Sequence, residues 1–545
     1  MLQPKFAGTG CCRNLVSKDA DHITQELRRE TLIGPKPKIR QWSLLKHAPL
    51  LVLALIIVAD VWQMTDPDLW GHLRFGQMML SSGRLVSHDP FSYSAFGDSW
   101  RDHEYLTEII MAGLYNAAGV IGLKAWKLLC VAATILLLVR GLAETEASSR
   151  VQFNVLALAV TVLFPHMQFR PQLHTYALFA LMLAVLAVDN YRGSGPVWLM
   201  IPVMALWSNL HGGFIIGLIT LAAYAGAVAL QDLFNHRDLT RAGKVGAIAA
   251  AATAATLLPP SGMNVWRAVL TTVGSPATFR IFADWQPLSS AMKAQWHYNH
   301  YGIAVYLCLL ALWAVLALSV MLRPQGNDFP LLVIALVMSL AAIKAVRNVP
   351  LAAIACVIPA GRHVGKLMSE KTQSPSPDVI VPQPVQWLMA GIALLLLGKE
   401  IFTVRLLTDM EYPSAAVEFM KQQQLCGNVL GDFGWGGYLI WHLAPSSKVF
   451  VDSRYDMVYP ARVFQDYLTF YLQKPGAEQV LKTYAHDFIL IPPSAKAYDG
   501  LMRAPGWKLI YHDQESALFA RAGSRAAGLA GLPVKGNAPS AEYFQ

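Results

Sequence analysis

Apolar runs recur along most of this chain, at about 44–63, 121–139, 151–165, 173–188, 197–208, 213–230, 245–258, 301–322, 330–345, 349–360 and 384–402. Inside a bilayer every peptide N–H and C=O must be satisfied by the protein itself, so such runs fold as helices. Several are shorter than the roughly 20 residues of a full crossing, and their ends are expected to extend into the flanking polar motifs. Only 14% of the 545 residues are charged and 54% are hydrophobic, too little charge to coat a soluble body of this size. The expected fold class is a polytopic α-helical membrane protein with about eleven spans. The net charge of +9 is scattered over tails and short loops. That suits cytoplasmic loops of a membrane protein and offers no basic stripe for nucleic acid.

A twelfth candidate at 105–118 is short and carries Glu108 and Asn116. Counting it as a span would send the 361–383 loop, with Arg362, Lys366 and Lys371, to the outside. Treating it as a helix lying on the membrane surface keeps the N-terminal tail, the 140–150 loop, the loop with Arg237, Arg241 and Lys244, Arg323 and the 361–383 loop in the cytoplasm. It also avoids burying Glu108 in hydrocarbon, which costs about 2.5–3.5 kcal/mol. The N-terminus is then inside and the C-terminus outside.

With that topology the polar motifs collect on one face. They are the 65–104 loop, HMQFRPQLH at 166–174, SNLHGGF at 208–214, the 259–300 segment and VRNVP at 346–350. The 65–104 loop is the densest, with Asp66, Asp68, Asp89, Asp98, Asp102, Glu104, His72, His88, His103, Arg74, Arg84 and Arg101.

The expected organisation is a cytoplasmic tail (1–43), a transmembrane domain (44–402) whose outward loop 64–120 carries the site, and a soluble domain (403–522) outside the membrane. The first span then serves as the insertion signal. In the soluble domain, helices are expected at 413–424, 437–443, 462–472 and 478–484, and strands at 428–430, 448–451, 488–491 and 509–511, an α/β pattern. Residues 523–545, rich in Gly, Ala, Ser and Pro, read as disordered, and the closing SAEYFQ resembles a protease-tag remnant. The six cysteines (Cys11 and Cys12 in the tail, Cys130, Cys308 and Cys356 in apolar runs, Cys426 alone) form neither a disulfide framework nor a CxxC pair for zinc.

Asp66 and Asp68 just after the first span, the helix ending in Met-Leu-Ser-Ser-Gly at 79–83, the polar loop and the surface helix together resemble the membrane-embedded glycosyltransferases of the GT-C fold, among them protein O-mannosyltransferases and aminoarabinose transferases. A closer likeness is to bacterial membrane proteins with DPDLWWHL, RPQ, NLHGG and GGYLIW…VFVD-R motifs. This chain matches those at 66–73, 170–172, 209–213 and 436–441 with 449–454, departing at Gly71, where the relatives usually carry a second Trp. Where aminoarabinose transferases have Lys-Pro-Pro near the surface helix, this chain has Arg101, Asp102, His103 and Glu104.

The resemblance implies an enzyme of the bacterial cytoplasmic membrane that moves a sugar from a polyprenyl-phosphate carrier to a lipid, glycan or protein acceptor, with inversion. Such a transfer needs a base for the acceptor proton, cations for the phosphate and a site that excludes water. The phosphate leaves as a stable anion, so one carboxylate suffices, unlike a glycoside hydrolase. Registering the family helix on the 79–83 turn puts its essential aspartate on Asp68, with Asp66 beside it as a second candidate or as a helix cap. Arg101, Asp102, His103, Glu104, Arg170, Gln172, His174, Asn209, His211, Arg347 and Asn348 are the candidate substrate- and phosphate-binding residues. Arg170 and Arg347 suit a phosphate, or snorkel to headgroups, and the glycines after His211 allow close backbone approach. Asp102, His103 and Glu104, with Asp66 or Asp68, are candidate ligands for a divalent cation, Mg²⁺ or Mn²⁺. Trp70, Trp100, Trp266 and Trp285 are candidates for stacking on sugar rings. Asp452 and Arg454 either contact the acceptor or hold the soluble domain in place, the second being favoured. The alternatives are an oligosaccharide ligase with a diphosphate-linked donor, and a transporter or scaffold, although no inverted repeat is visible.

Overall fold

The computed structural model describes residues 64–530, apart from Arg101, Ser261, 275–282, Asn299 and most of 372–411. The expected tail, the expected spans at 44–63 and 384–402, the candidate Arg101 and the chain end lie outside the described residues.

A two-residue strand β1 (Met64–Thr65) leads into helix α1 (Leu69–Ser82), which stops at Gly83 in the left-handed conformation. The loop that follows ends at α2 (Tyr105–Leu142), a helix broken at Ala118 and Gly119. Gly119 has φ +57° and ψ −142°, a conformation that a Cβ would forbid. The break falls where the expected surface helix ends, and it separates 105–117 from the apolar arm that follows.

The bundle continues through α3 (Ser149–Leu163), α4 (Gln172–Arg192), α5 (Met200–Leu210), α6 (Phe214–Phe234), α7 (Thr240–Ala255), α8 (Met263–Gly274), α9 (Leu288–Tyr298), α10 (His300–Leu322), α11 (Phe329–Lys344) and α12 (Val349–Lys371). Every apolar run between 121 and 360 is helical. Among the described residues five stretches are long and apolar enough to cross a membrane: Tyr105–Thr145, Gln172–Arg192, Phe214–Phe234, Gly302–Leu322 and Val346–Ser369. That is fewer than the expected spans, because runs such as those in α3, α5, α7 and α11 form helices of 11 to 16 residues. Leu138, Leu156, Phe179, Met204 and Ile354 are among the residues that fill the bundle's core.

The last part of the chain is α/β. Strand β2 (Leu407–Thr408) pairs in parallel with β1. Then come α13 (Ser414–Gln422), β3 (Asn428–Gly431), α14 (Gly436–Leu443), β4 (Lys448–Val449), α15 (Ala461–Tyr471), α16 (Ala477–Thr483), β5 (Phe488–Ile491), α17 (Ala497–Arg503), β6 (Trp507–His512) and β7 (Ala517–Arg521). The sheet order is β4-β3-β5-β7-β6, parallel across β4, β3 and β5 and antiparallel beyond. A 3₁₀ turn at Arg525–Leu529 still buries Ala526 and Ala527, so the ordered domain runs past the expected boundary at 522.

This sheet shares its core with the loop after α1. Trp70, Phe75, Phe91 and Trp100 pack in one cluster with Val429, Leu430, Phe450, Leu490 and Phe519. At the centre of the contact Arg454 bonds Asp452 at 2.6 and 2.8 Å and Asp89 at 2.6 Å, all three nearly inaccessible to solvent. Its guanidinium stands 5.0 Å from the Phe75 ring and 4.7 Å from that of Trp100. Asp452 and Arg454 therefore hold loop and domain together. Cys130 and Cys356 are buried free thiols, and Cys426 is an exposed one.

Candidate active site

Asp68 is the residue before α1, yet its side chain makes no capping bond. Asp66 does the local work: its carboxylate accepts the Asp68 N–H at 2.9 Å, and its carbonyl accepts the Leu69 N–H at 3.1 Å. Asp66 is 3% exposed and ion-paired to Arg170, whereas the Asp68 side chain is 35% exposed and 4.0 Å from the same guanidinium. Burial and the neighbouring Asp68 charge push Asp66 up to about 7, against the pull of Arg170.

Arg170 lies just before α4 and also bonds Asp284 at 2.8 Å. Three carboxylates around one guanidinium fix its orientation, which makes Arg170 a positioning group for the aspartates more than a free phosphate clamp. Trp285, next to Asp284, lies under Arg347 with the cation 4.2 Å from the ring centroid. The Val346 N–H bonds the Gln286 carbonyl at 3.0 Å, so the 283–286 turn ties both arginines to one place. Among the described residues no carboxylate lies within ion-pair distance of Arg347.

One turn along α1 from Asp68 is His72. Its Nδ1 is 2.9 Å from Glu108 Oε1, and its Nε2 is 4.0 Å from Glu104 Oε2. The two helices approach closely because position 76 is glycine: a Cβ there would lie 2.1 Å from the Glu108 carbonyl oxygen. Glu104 and Glu108 are one turn apart at the start of α2 and share a face. His211 Nε2 reaches Glu104 Oε1 at 3.3 Å and His103 Nε2 does so at 3.6 Å. Gly212 permits this packing, since a Cβ would meet the His103 ring at 2.6 Å. Asp102 accepts the Glu104 N–H at 2.8 Å and keeps its second oxygen buried. Burial raises Glu104 to about 7 and Asp102 well above the usual carboxylate range, and lowers His103 to about 4.

The structure thus brings Asp66, Asp68, Asp102, His103, Glu104, Arg170, His211 and Arg347 to one end of the bundle. His174 is occupied elsewhere, accepting from Trp126 at 3.2 Å and 3.1 Å from the Thr107 hydroxyl. Asn209 accepts from Tyr105 and donates to the Ala205 carbonyl at 2.6 Å, and Asn348 donates to the Ala341 carbonyl at 3.1 Å. All three side chains are thus engaged within the protein. Gln172 is the half-buried first residue of α4.

Two of the four tryptophans are removed from sugar stacking. Trp70 is buried against Tyr412, Tyr438 and Trp441, and Trp100 against Phe75. Trp266 donates to Thr256 at 3.0 Å, and Trp285 remains beside the site.

Four groups escaped the sequence reading: His72, Glu108, Asp284 and Asp456. The first two are legible as helical neighbours at i+4 of Asp68 and Glu104. Asp456 comes from the α/β domain; it accepts from Thr272 at 3.1 Å and keeps its second oxygen buried and unpaired.

No protein-family model and no curated protein matches the sequence. Solved structures do match the fold. The oligosaccharyltransferase AglB from Archaeoglobus fulgidus, in complex with an inhibitory peptide and a dolichol-phosphate, superposes with a TM-score of 0.51 over 82% of this chain and 69% of its own, at 12% identity. The arabinofuranosyltransferase AftD from Mycobacteria gives 0.53 over 88% of this chain and 42% of its own, at 14% identity. Both are GT-C glycosyltransferases. The chain has the GT-C fold. The shared fold leaves the chemistry to the residues of the site.

Proposed function

We propose that this protein is an inverting glycosyltransferase that moves a sugar from a polyprenyl-phosphate carrier to an acceptor at the outer face of a bacterial cytoplasmic membrane. The observation that carries the reading is Asp68: a carboxylate left out of its own helix cap, part exposed, 4.0 Å from an arginine that the 283–286 turn helps to hold. In the step proposed, Asp68 takes the proton of the acceptor hydroxyl as its oxygen attacks the anomeric carbon. The bond from that carbon to the phosphate oxygen breaks, and the carrier phosphate leaves with the electron pair. Arg347, over Trp285 and without a carboxylate partner among the described residues, is the group best suited to hold that phosphate. Arg170 positions Asp66 and Asp68. That the AglB structure holds a dolichol-phosphate supports a lipid-phosphate donor on this fold.

The number of crossings has its own support. β1 pairs with β2, which supports residues 64 and 407 lying on the same face, with an even number of crossings between them. The ten apolar runs from 121 to 402 satisfy this, and counting 105–118 as an eleventh does not. The acceptor class is open to lipid, glycan and protein.

The test is consumption of polyprenyl-phosphate sugars from a total membrane-lipid extract by the purified protein, followed by mass spectrometry. Wild type should deplete one glycolipid and Asp68→Asn should not. Equal depletion by both would remove Asp68 from the chemistry.

A further inference from the structure

We infer that Asp456 and His103 bind two hydroxyls of the acceptor, which makes the acceptor a glycan, free or borne on a lipid. The inference rests on the proposed transfer and names the acceptor class of that site.

Three parts of the chain meet there. Val269 and Thr272 lie one turn apart on α8 and share a face. Val269 stands with the His103 ring over Gly212, where a Cβ would lie 2.9 Å from the one and 2.6 Å from the other. Thr272 donates to Asp456 Oδ1 at 3.1 Å, which brings the α/β domain to the same turn of α8. Asp456 and His103 are near enough to feel each other's charge. The chain before Asp456 is tightly held. Arg454 is locked between Asp452 and Asp89, and Tyr455 takes φ +33°, a conformation uncommon outside glycine. Strain of this kind persists only where the surrounding contacts fix it, and it gathers at ligand sites.

Each group has an atom to spare. Asp456 Oδ2 and His103 Nδ1 are buried and have no hydrogen-bond partner among the described residues. His103 Nε2 faces the Glu104 carboxylate at 3.6 Å, so on the neutral ring the hydrogen belongs on Nε2 and Nδ1 presents a lone pair. Both spare atoms are then acceptors, and buried acceptors are costly unless a donor reaches them. Two hydroxyls on neighbouring carbons of a sugar supply one hydrogen to each. An anionic headgroup would bring acceptors and like charge to a carboxylate. An extended peptide adds to an open sheet edge, and the edge at β4, the strand that leads into the 452–457 turn, is already taken. There the Val449 N–H donates to the Phe91 carbonyl at 3.0 Å, and the Tyr93 N–H donates to the Val449 carbonyl at 3.1 Å. His103 and His72 face the same Glu104, and His72 is one turn of α1 from Asp68, which puts the pocket beside the proposed base.

The test uses the full chain in detergent, with no donor present. Fluorescence anisotropy reads the binding of two labelled probes: oligosaccharides released from bacterial envelope polysaccharide, and a peptide rich in Ser and Thr. Unlabelled envelope glycolipid and its deacylated glycan then compete with the labelled oligosaccharides. Expected is binding of the oligosaccharides by wild type, with a Kd raised at least about ten-fold in Asp456→Ala and in the shape-preserving Asp456→Asn. Stronger competition by the intact glycolipid assigns the glycan to a lipid, and equal competition assigns it to a free polymer. Thermal melting checks that both variants fold. No oligosaccharide bound by wild type, an unchanged Kd in the folded variants, or tighter binding of the peptide overturns the inference. Neither donor nor turnover enters the measurement, so its failure is distinct from failure of the proposed transfer.

Discussion

At Asp68 the sequence position says helix cap and the geometry says otherwise, since Asp66 takes the backbone bond. Replacing Asp68 with Asn should therefore lower transfer by about 10²–10⁴-fold, the usual worth of a general base. Its melting temperature should stay close to that of wild type. A matching loss of stability would return Asp68 to a structural role. Arg347 belongs to the same scale. Arg347→Ala should raise KM for the donor more than it lowers kcat, as expected when an interaction present in both ground and transition states is removed. An effect on kcat alone would place the cation elsewhere in the reaction.

Among the elements, the closest approach is between α1 and α2 at Gly76. Gly76→Ala should push the helices apart and cost about 1–3 kcal/mol, because the added Cβ meets backbone rather than a movable side chain. Thermal unfolding checks this, and an unchanged melting temperature would mean that the helices are not packed as described. The helices themselves were legible, because hydrophobic runs leave a bilayer protein little choice, and the break at 118–119 was marked by Gly119. Strand β7 was not. Its sequence, Ala-Leu-Phe-Ala-Arg, has two alanines and is buried on both faces, so it shows no alternation. Spacing of i+4 puts His72 and Glu108 on the faces of Asp68 and Glu104, but that these two faces meet each other is a contact between helices, which local spacing does not report. Trp70 and Trp100 look in the sequence like interfacial aromatics; the sheet domain that buries them lies more than 300 residues away.

For the molecule as a whole, the loop and the α/β domain are one structure joined at Arg454. Removing Arg454 strands the buried Asp452 and Asp89, so Arg454→Met should cost about 3–5 kcal/mol and free the 65–104 loop to proteolysis. Wild-type resistance in the variant would contradict that joint. The same contact sets an acid limit. Burial raises the Asp452 carboxyl, but Arg454 and the Tyr459 hydroxyl outweigh it and hold the group below its ordinary 3.8. A carboxyl depressed in the folded state contributes stability that is full above the unfolded value and is lost as pH falls below it through the folded pKa. Stability should accordingly fall below about pH 4 in wild type. Asp452→Asn should be less stable at neutral pH and flatter in that acid window.

The most direct measurement of the central claim is mass spectrometry of the lipids that copurify with wild type and with Asp68→Asn. The proposed transfer predicts a polyprenyl-phosphate sugar enriched in the variant, which binds the donor and does not turn it over. Bulk phospholipid alone in both preparations would contradict it.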